Sequence, residues 1–167
     1  MYCKINIMKK LFFIVVLFIT GSLAFSQSAD VVTRILNSEK ATYGQVCYLS
    51  AVYQNLAKSN ASYSACVKAL YDAGQISENY NPDGYVTYEE VAGIFAKMFK
   101  NINKSIMYSA TDGSNRYAYK LFKADGIILS SADAKQNLSG QELMNILTAC
   151  LEEYGTSEDG MDLDLGE

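Results

Sequence analysis

Apolar residues recur three and four positions apart through most of residues 30–152, which is the spacing of one face of an α-helix. The two longest stripes share one spacing and consist of Val91, Ile94, Phe95, Met98 and Phe99 and of Leu143, Ile146, Leu147, Cys150 and Leu151. Three shorter stripes consist of Val46, Leu49, Tyr53 and Leu56, of Cys66, Ala69, Leu70 and Ala73, and of Tyr117, Leu121 and Phe122. The pattern predicts an all-α protein, a small bundle of about five to six helices.

Three of these helices are predicted to begin with the same capping motif. Thr42–Gln45, Thr87–Glu90 and Ser139–Glu142 each place a hydroxyl residue three positions before Glu or Gln, directly before an apolar stripe. In such a capping box the hydroxyl accepts a hydrogen bond from the third helical amide, and the Glu or Gln accepts from the amide of the hydroxyl residue. Three boxes in one short chain indicate internal duplication.

The chain matches itself without a gap at an offset of 52. Gly74 then falls on Gly126, and Glu90 falls on Glu142. Each copy reads as a helix, a glycine stop, an apolar pair, a loop, a capping box and a second helix. One such unit cannot bury its apolar stripe alone, so two helix-loop-helix repeats are expected to pack together. The helix that follows Thr42 is predicted to belong to a further, partial copy on the N-terminal side.

These motifs resemble the S-layer homology (SLH) repeat. The matching stretches are Gly74–Ile76, Asn81–Gly84 and Val86–Glu90 in one copy and Gly126–Ile128 and Leu138–Glu142 in the other. The resemblance implies an SLH-like α-helical domain, which we place at residues 27–154.

SLH repeats typically attach exported proteins to polymers of the cell envelope, and an arginine in the box helps to bind the polymer. The resemblance therefore implies a binding module of the bacterial cell envelope that contacts an envelope protein or polymer. In this chain the arginine position is occupied by Tyr43, Tyr88 and Gly140, and the family's tryptophan before the first helix is absent.

Residues 1–26 have the pattern of a secretory signal peptide. Three lysines precede an unbroken apolar run over residues 11–19, and small residues follow at Ala24 and Ser26. A membrane-spanning helix needs roughly 20 apolar residues, so this run is too short for a transmembrane anchor. We therefore predict cleavage after Ser26 and an exported protein in the periplasm, in the cell envelope or secreted. Met8 is an alternative start.

The formal charge of −4 is unevenly distributed along the 167 residues. Residues 1–26 carry three bases and no acid, residues 27–151 carry equal numbers of both, and residues 152–167 carry seven acids and no base. A neutral body argues against nucleic acid as a partner, because phosphate contacts need clustered Lys and Arg. The acidic tail, residues 155–167, is predicted to be disordered.

Residues 79–90 are similar to an EF-hand calcium loop. The candidate ligands are Asn79, Asn81, Asp83, Tyr85 through its backbone carbonyl, Thr87 and Glu90. The first position carries Asn where the motif has Asp, so the affinity would be low, on the order of millimolar. The other interpretation is an Asn-Pro-Asp-Gly turn followed by a capping glutamate. Both interpretations stay open: no cofactor is predicted, and Ca²⁺ is the single candidate if the EF-hand interpretation holds.

Tyrosine, which occurs 13 times, offers a second candidate for binding. Seven tyrosines lie in predicted loops or off the apolar stripes, where amphipathic rings favour interfaces and can stack on sugars. They are Tyr43, Tyr48, Tyr80, Tyr85, Tyr88, Tyr108 and Tyr119. Scattered surface tyrosines without a partner are the alternative. Tyr43, Tyr85 and Tyr88 are the candidate binding residues.

Three cysteines remain after the predicted cleavage: Cys47, Cys66 and Cys150. Export permits a disulfide, and an odd number leaves at least one cysteine unpaired within the chain. Cys150 lies on an apolar stripe, where it is expected to pack as a small hydrophobic residue. Cys47 with Cys66 is the candidate disulfide.

The composition also limits the chemistry that the protein can perform. Without histidine there is no Ser-His-Asp triad, no His-based zinc site and no histidine pH switch. The adjacent pairs Glu89–Glu90 and Glu152–Glu153 lie on helices, where neighbouring side chains diverge by about 100° and cannot act together on one substrate. The sequence therefore favours an exported, non-enzymatic binding module, with a weak calcium-binding EF-hand-like protein as the alternative.

Overall fold

The computed structural model describes residues 23–99, 102 and 113–155, and the side chains in these ranges from residue 29 onward. Within these residues the protein has six helices and no sheet, which confirms the predicted all-α fold. The helices are α1 (Leu23–Leu36), α2 (Tyr43–Tyr53), α3 (Tyr63–Asp72), α4 (Tyr88–Ala96), α5 (Asn115–Ala124) and α6 (Gly140–Tyr154).

The chain divides into two compact units between Arg34 and Ile35. The described part of the first unit is the portion of α1 from Leu23 to Arg34. This helix passes through Ser26, the predicted cleavage position, while residues 1–22 of the predicted signal peptide lie outside the described residues. Helices α2 to α6 belong to the second unit, and residues 156–167 of the acidic tail also lie outside the described residues.

The predicted apolar stripes form the core of the second unit. Helix α4 packs most extensively against α5 and also contacts α2 and α6, while α2 packs against α3. Phe95 of α4 and Phe122 of α5 are the largest fully buried side chains. The stripe positions Leu56 and Leu151 are instead 43% and 37% exposed. Leu56 is exposed because α2 already ends at Tyr53.

The two predicted repeat copies have matching helix starts, and their first helices, α3 and α5, also end at equivalent positions. Helices α3 and α5 begin at equivalent positions of the repeat, and so do α4 and α6. Gly74 and Gly126 follow α3 and α5 with left-handed φ values of +69° and +77°, which glycine adopts without a steric penalty.

The hydrogen bonds around these glycines are those of a Schellman helix end. The Gln75 amide donates to the Leu70 carbonyl at 2.9 Å, and the Ile127 amide donates to the Phe122 carbonyl at 2.9 Å. The chain therefore leaves α3 and α5 in the same direction. In both cases an isoleucine that follows the glycine, Ile76 or Ile128, is buried in the core.

All three predicted capping boxes are present, and in each box both reciprocal hydrogen bonds are made. The Thr87 amide donates to Glu90 Oε2 at 2.8 Å, and the Ser139 amide donates to Glu142 Oε2 at 2.7 Å. In the first box, the Thr42 amide donates to Gln45 Oε1 at 3.1 Å. Helices α2, α4 and α6 therefore start where the sequence predicts.

Candidate functional site: a ring of helix N-termini

The N-termini of α2, α4 and α6 meet in one place, because the chain segments just before them are hydrogen-bonded to each other. We call this arrangement the N-cap ring and define it as residues 40–45, 85–90 and 137–142. Antiparallel bridges join Thr42 to Tyr85 and Thr87 to Asn137. The ring is the feature on which the candidate binding residues are placed.

Three hydrogen bonds close the ring at the residues that precede the N-caps. The Ala41 amide donates to the Leu138 carbonyl at 2.7 Å, and the Val86 amide donates to the Ala41 carbonyl at 3.1 Å. The side-chain amide of Asn137 completes the circuit by donating to the Val86 carbonyl at 3.0 Å. Ala41, Val86 and Leu138 are almost completely buried, so the centre of the ring is apolar and dry.

The first amides of each helix are also satisfied, by backbone carbonyls of residues that lie just before the three segments of the ring. An α-helix leaves its first four amides without intrahelical partners. In α2 the amides of Tyr43 and Gly44 donate to the carbonyls of Gly84 and Pro82. In α4 the amides of Tyr88 and Glu89 donate to the carbonyls of Gln136 and Ala134, and in α6 the Gly140 amide donates to the Ser38 carbonyl. All five distances lie between 2.8 and 3.2 Å. These amides are therefore used by the fold and are not directed at a ligand.

The residues after the first two N-caps each contact the box that follows along the chain. The Tyr43 hydroxyl donates to Glu90 Oε1, and the Tyr88 hydroxyl donates to Glu142 Oε1 at 2.8 Å. The third equivalent residue is Gly140, where a Cβ atom would overlap the backbone carbonyl oxygen of Ile35. The positions that carry arginine in SLH repeats therefore make internal contacts in this chain.

These contacts shift the titration of the groups involved. Burial acts to raise the pKa of Glu90, but the hydrogen bonds from Tyr43 and Thr87 outweigh it, so the pKa of Glu90 is lowered. The pKa of Glu142 is lowered chiefly by the hydrogen bond from the Ser139 backbone amide. Burial and the bond to Glu142 raise the pKa of Tyr88 to about 12. The carboxylates are thus held ionised and the phenols neutral, as structural hydrogen-bonding partners.

The expectation that the seven tyrosines lie at the surface is wrong for four of them. Tyr43, Tyr48, Tyr88 and Tyr119 are all buried. Their hydroxyls reach internal acceptors: Tyr48 donates to the Ser59 carbonyl at 2.8 Å, and Tyr119 donates to the Ala132 carbonyl at 2.6 Å. A tyrosine that lies off an apolar stripe can therefore still be buried when a carbonyl or carboxylate meets its hydroxyl.

The remaining tyrosines of this set have different surroundings. Tyr80 stacks on Tyr43 with ring centroids 4.4 Å apart and planes at 6°. Tyr85 is 58% exposed, and the Lys40 ammonium lies 5.1 Å from its ring centroid. Tyr108 lies outside the described residues. Of the three candidate binding tyrosines, Tyr85 is the one whose ring is available at the surface.

Tyr85 belongs to a set of three equivalent positions on the ring. Lys40, Tyr85 and Asn137 each lie two residues before an N-cap, and all three are exposed. Neighbouring residues of an extended segment point to opposite faces, which explains why the residue between each of them and its N-cap is buried. We call these three residues the outer triplet. Sequence reasoning missed Lys40 and Asn137, although their spacing from the predicted capping boxes could have identified them.

The six candidate calcium ligands lie between Asn79 and Glu90, in the loop before α4 and its first turn, but several of their oxygens are engaged. Asn79 and Asp83 are exposed, and Asn81 Oδ1 accepts from the Asp83 amide at 3.1 Å, which is typical of a turn. Both carboxylate oxygens of Glu90 accept hydrogen bonds, from Thr87 and from Tyr43. In residues 23–99, 102 and 113–155, no three acidic or cysteine side chains are grouped to hold a metal ion. Calcium binding stays the alternative prediction.

The three cysteines of the described chain are buried free thiols. Burial raises the pKa of each of them, to about 12 for Cys47, where the neighbouring Cys66 thiol adds to the effect. Cys150 packs in the core of α6, as its place on the apolar stripe predicts.

In the part of the chain that the structure describes, no helix has the length and apolar character needed to cross a membrane. Comparisons with protein-family models and with curated protein sequences found no match to this chain.

Proposed function

We propose that the protein is an exported, non-enzymatic module that binds a polymer of the bacterial cell envelope through the outer triplet Lys40, Tyr85 and Asn137. The observation that carries this proposal is the contrast between the exposed triplet and the buried tyrosines of the same ring, Tyr43 and Tyr88. Tyr85 is 58% exposed, whereas Tyr43 and Tyr88 are 9% and 7% exposed.

The side chains of the triplet suit a polymer that contains sugars. An exposed tyrosine ring provides a flat apolar surface on which the face of a sugar ring can stack. The ammonium group of Lys40 can pair with an acidic substituent of the polymer, and the amide of Asn137 can hydrogen-bond to hydroxyl groups. Together the three residues offer apolar, cationic and amide contacts at one edge of the ring.

The ring also favours binding because it holds the triplet in place. The residues next to the triplet are fixed by the hydrogen bonds between Ala41 and Leu138 and between Val86 and Ala41. A surface that is ordered before it meets its partner loses less conformational entropy on binding.

The resemblance to SLH repeats supports the envelope as the location of the partner. It does not assign the same contact residues, because Tyr43 and Tyr88, at the arginine positions of the boxes, donate to Glu90 and Glu142 instead. We therefore propose that binding has moved from these positions to the triplet. The non-enzymatic role is consistent with the shifted carboxyl groups, since capping and the tyrosine contacts account for both of them.

Co-sedimentation with isolated envelope polymer tests the proposal. The chain without residues 1–26 is mixed with envelope material that has been treated with protease, so that polymer remains and protein is removed. We expect the wild-type chain to sediment with this material, and we expect Tyr85→Ala and Lys40→Ala each to reduce the bound fraction several-fold.

Tyr71→Ala is the matched control, because Tyr71 is an exposed tyrosine on α3 with 45% of its surface accessible. It should sediment like the wild type. Equal binding by the Tyr85 and Tyr71 variants would contradict a role for the triplet. If protease treatment of the envelope abolishes binding, the result points to an envelope protein as the partner instead.

A further inference from the structure

Helices α2 and α3 approach each other unusually closely at their N-terminal ends. A Cβ atom placed on Gly44 of α2 would lie 2.7 Å from the Cβ atom of Tyr63 in α3. Real Cβ atoms are not found so close together, so the missing side chain at Gly44 is what permits this contact. The two backbones are therefore within the range in which short side chains from both helices can meet.

The two helices stay in contact along their length and run in the same direction. Tyr48 of α2 makes an edge contact with Tyr63, with ring centroids 5.9 Å apart. Beyond the C-terminal ends of both helices, the side-chain amide of Gln54 donates to that of Gln75 at 2.9 Å. Residues at the same distance from the contact between Gly44 and Tyr63 are consequently neighbours.

Cys47 and Cys66 occupy such matching positions. Each follows the close contact by three residues, Cys47 after Gly44 and Cys66 after Tyr63. Residues three apart lie on the same face of a helix, so both cysteines lie on the faces that pack together. Both are fully buried. A disulfide needs Cβ atoms about 3.5–4.5 Å apart. The 2.7 Å between a Cβ atom built on Gly44 and the Cβ atom of Tyr63, three residues before the cysteines, shows that the two backbones approach closely enough for such a bond.

We propose that Cys47 and Cys66 form a disulfide when the chain folds in an oxidising compartment. The inference rests on the export that is part of the proposed function, but not on the binding of a polymer. The thiolate of one cysteine attacks the disulfide of a thiol oxidase, which releases one oxidase thiolate. The second cysteine thiolate then attacks the resulting mixed disulfide and releases the other oxidase thiolate. The two cysteines lose two protons and two electrons, and the oxidase disulfide is reduced to a dithiol.

The burial of the thiols determines when this exchange takes place. Thiol exchange needs a thiolate and access to the attacking sulfur. In the folded chain both thiols are buried, and the pKa of Cys47 is raised to about 12. The bond should therefore form before the helix pair is fully packed, and once formed it should resist reduction under native conditions.

Peptide mapping under non-reducing conditions tests the disulfide directly. The full-length chain is exported from a bacterial host, collected from the periplasm, alkylated in denaturant and digested with trypsin. Lys58 lies between the two cysteines, so that cleavage places Cys47 in peptide 41–58 and Cys66 in peptide 59–68. We expect these peptides to be linked, while Cys150, on a separate peptide, is alkylated. The chain that is unfolded, refolded and melted in the presence of a reductant, without alkylation, should have a thermal midpoint roughly 10 °C below that of the oxidised chain.

A second arm separates failure of export from failure of the disulfide. Chain produced in the cytoplasm is unfolded and refolded in a buffer of oxidised and reduced glutathione. The 41–58 and 59–68 peptides should again be linked, and Cys150→Ser should give the same result. Recovery of alkylated Cys47 and Cys66 after refolding, or a link from either of them to Cys150, would overturn the proposal whatever the result of the envelope binding experiment.

Discussion

The Tyr43 hydroxyl donates a hydrogen bond to the carboxylate of Glu90, 47 residues further along the chain. Glu90 is itself the capping glutamate of α4, so the first residue of α2 contacts the group that starts α4. Tyr88 and Glu142 repeat this relationship between α4 and α6. The capping boxes therefore do more than start their own helices, because they also fix the order in which the helices meet.

Removal of the Tyr88 hydroxyl is predicted to destabilise the fold. In Tyr88→Phe the ring stays buried but the 2.8 Å hydrogen bond to the Glu142 carboxylate is lost. Hydrogen bonds to charged groups contribute roughly 1.5–3 kcal/mol, so we expect a loss of about 1–2 kcal/mol in urea denaturation. Tyr71→Phe removes a hydroxyl from an exposed ring and should change stability by less than about 0.5 kcal/mol. Equal effects of the two substitutions would contradict the role of the contact.

The lowered pKa values of Glu90 and Glu142 predict that acid destabilises the protein. A carboxyl group whose folded pKa is below its unfolded value of about 4.3 contributes stability that is fully present above that value. This stability is lost as the pH falls through the lower folded pKa of each glutamate. The urea concentration at the midpoint of denaturation, measured at pH values from 7 to 3, should therefore change little down to about pH 5 and decrease below it.

The double variant Glu90→Gln/Glu142→Gln isolates this contribution. It should be less stable than the wild type at pH 7, and the difference should shrink as the pH falls. Glu39→Gln is the control, since Glu39 is an exposed residue outside the capping boxes. A pH profile of the double variant that runs parallel to that of the wild type would show that other carboxyl groups cause the acid sensitivity.

The raised pKa of Tyr88 predicts a second loss of stability at alkaline pH. Its folded pKa of about 12 exceeds the unfolded value of about 10, so its contribution is fully present below pH 10 and is lost as the pH rises toward 12. Absorbance of tyrosinate during a pH titration measures this. We expect part of the tyrosine signal to appear only with unfolding, and Tyr88→Phe to reduce that part. If Tyr88→Phe leaves the part of the absorbance that appears only with unfolding unchanged, that part belongs to other tyrosines.

The starts of α2, α4 and α6 and the ends of α3 and α5 could be predicted because they depend on local sequence. The capping boxes at Thr42, Thr87 and Ser139 and the glycine stops at Gly74 and Gly126 are each encoded within a few residues. The burial of Tyr43 could not be predicted in this way, since its acceptor lies on a different helix. From the sequence, the position of Tyr43 beside the capping residue Thr42 indicated a loop residue. The contact between Tyr43 and Glu90 is a consequence of tertiary packing.

The candidate site was predictable to a similar degree. Tyr85 was identified by residue type and is exposed, whereas Lys40 and Asn137 became visible as its equivalents only when the three helix starts were found to form a ring. Single residues of ordinary type carry no signal of this kind in the sequence. The geometry that joins them comes from backbone hydrogen bonds between segments that are distant in the sequence.

The engagement of Glu90 predicts that calcium has no effect on the thermal midpoint. The two carboxylate oxygens accept hydrogen bonds from the Thr87 amide and hydroxyl and from Tyr43, and a bound ion would have to replace these contacts. Thermal melts with several millimolar CaCl₂, matched in ionic strength with NaCl, measure this. A rise of the midpoint in calcium alone that Asp83→Asn abolishes would support the EF-hand-like alternative instead.

Substitution of Gly140 is predicted to be the most damaging single change in the ring. A Cβ atom at this position would overlap the Ile35 carbonyl oxygen and meet the Ser38 hydroxyl, and the Gly140 amide donates to the Ser38 carbonyl at 2.9 Å. Because these neighbours are largely backbone, they cannot move aside without breaking the contact between residues 35–41 and α6. We expect Gly140→Ala to cost about 3 kcal/mol or more in urea denaturation.

Gly126→Ala is the comparison, because a Cβ atom there meets open space and only the left-handed φ of +77° opposes it. That substitution should cost about 1 kcal/mol. A Gly140→Ala variant as stable as Gly126→Ala would show that the segment before α2 is not held tightly against the start of α6.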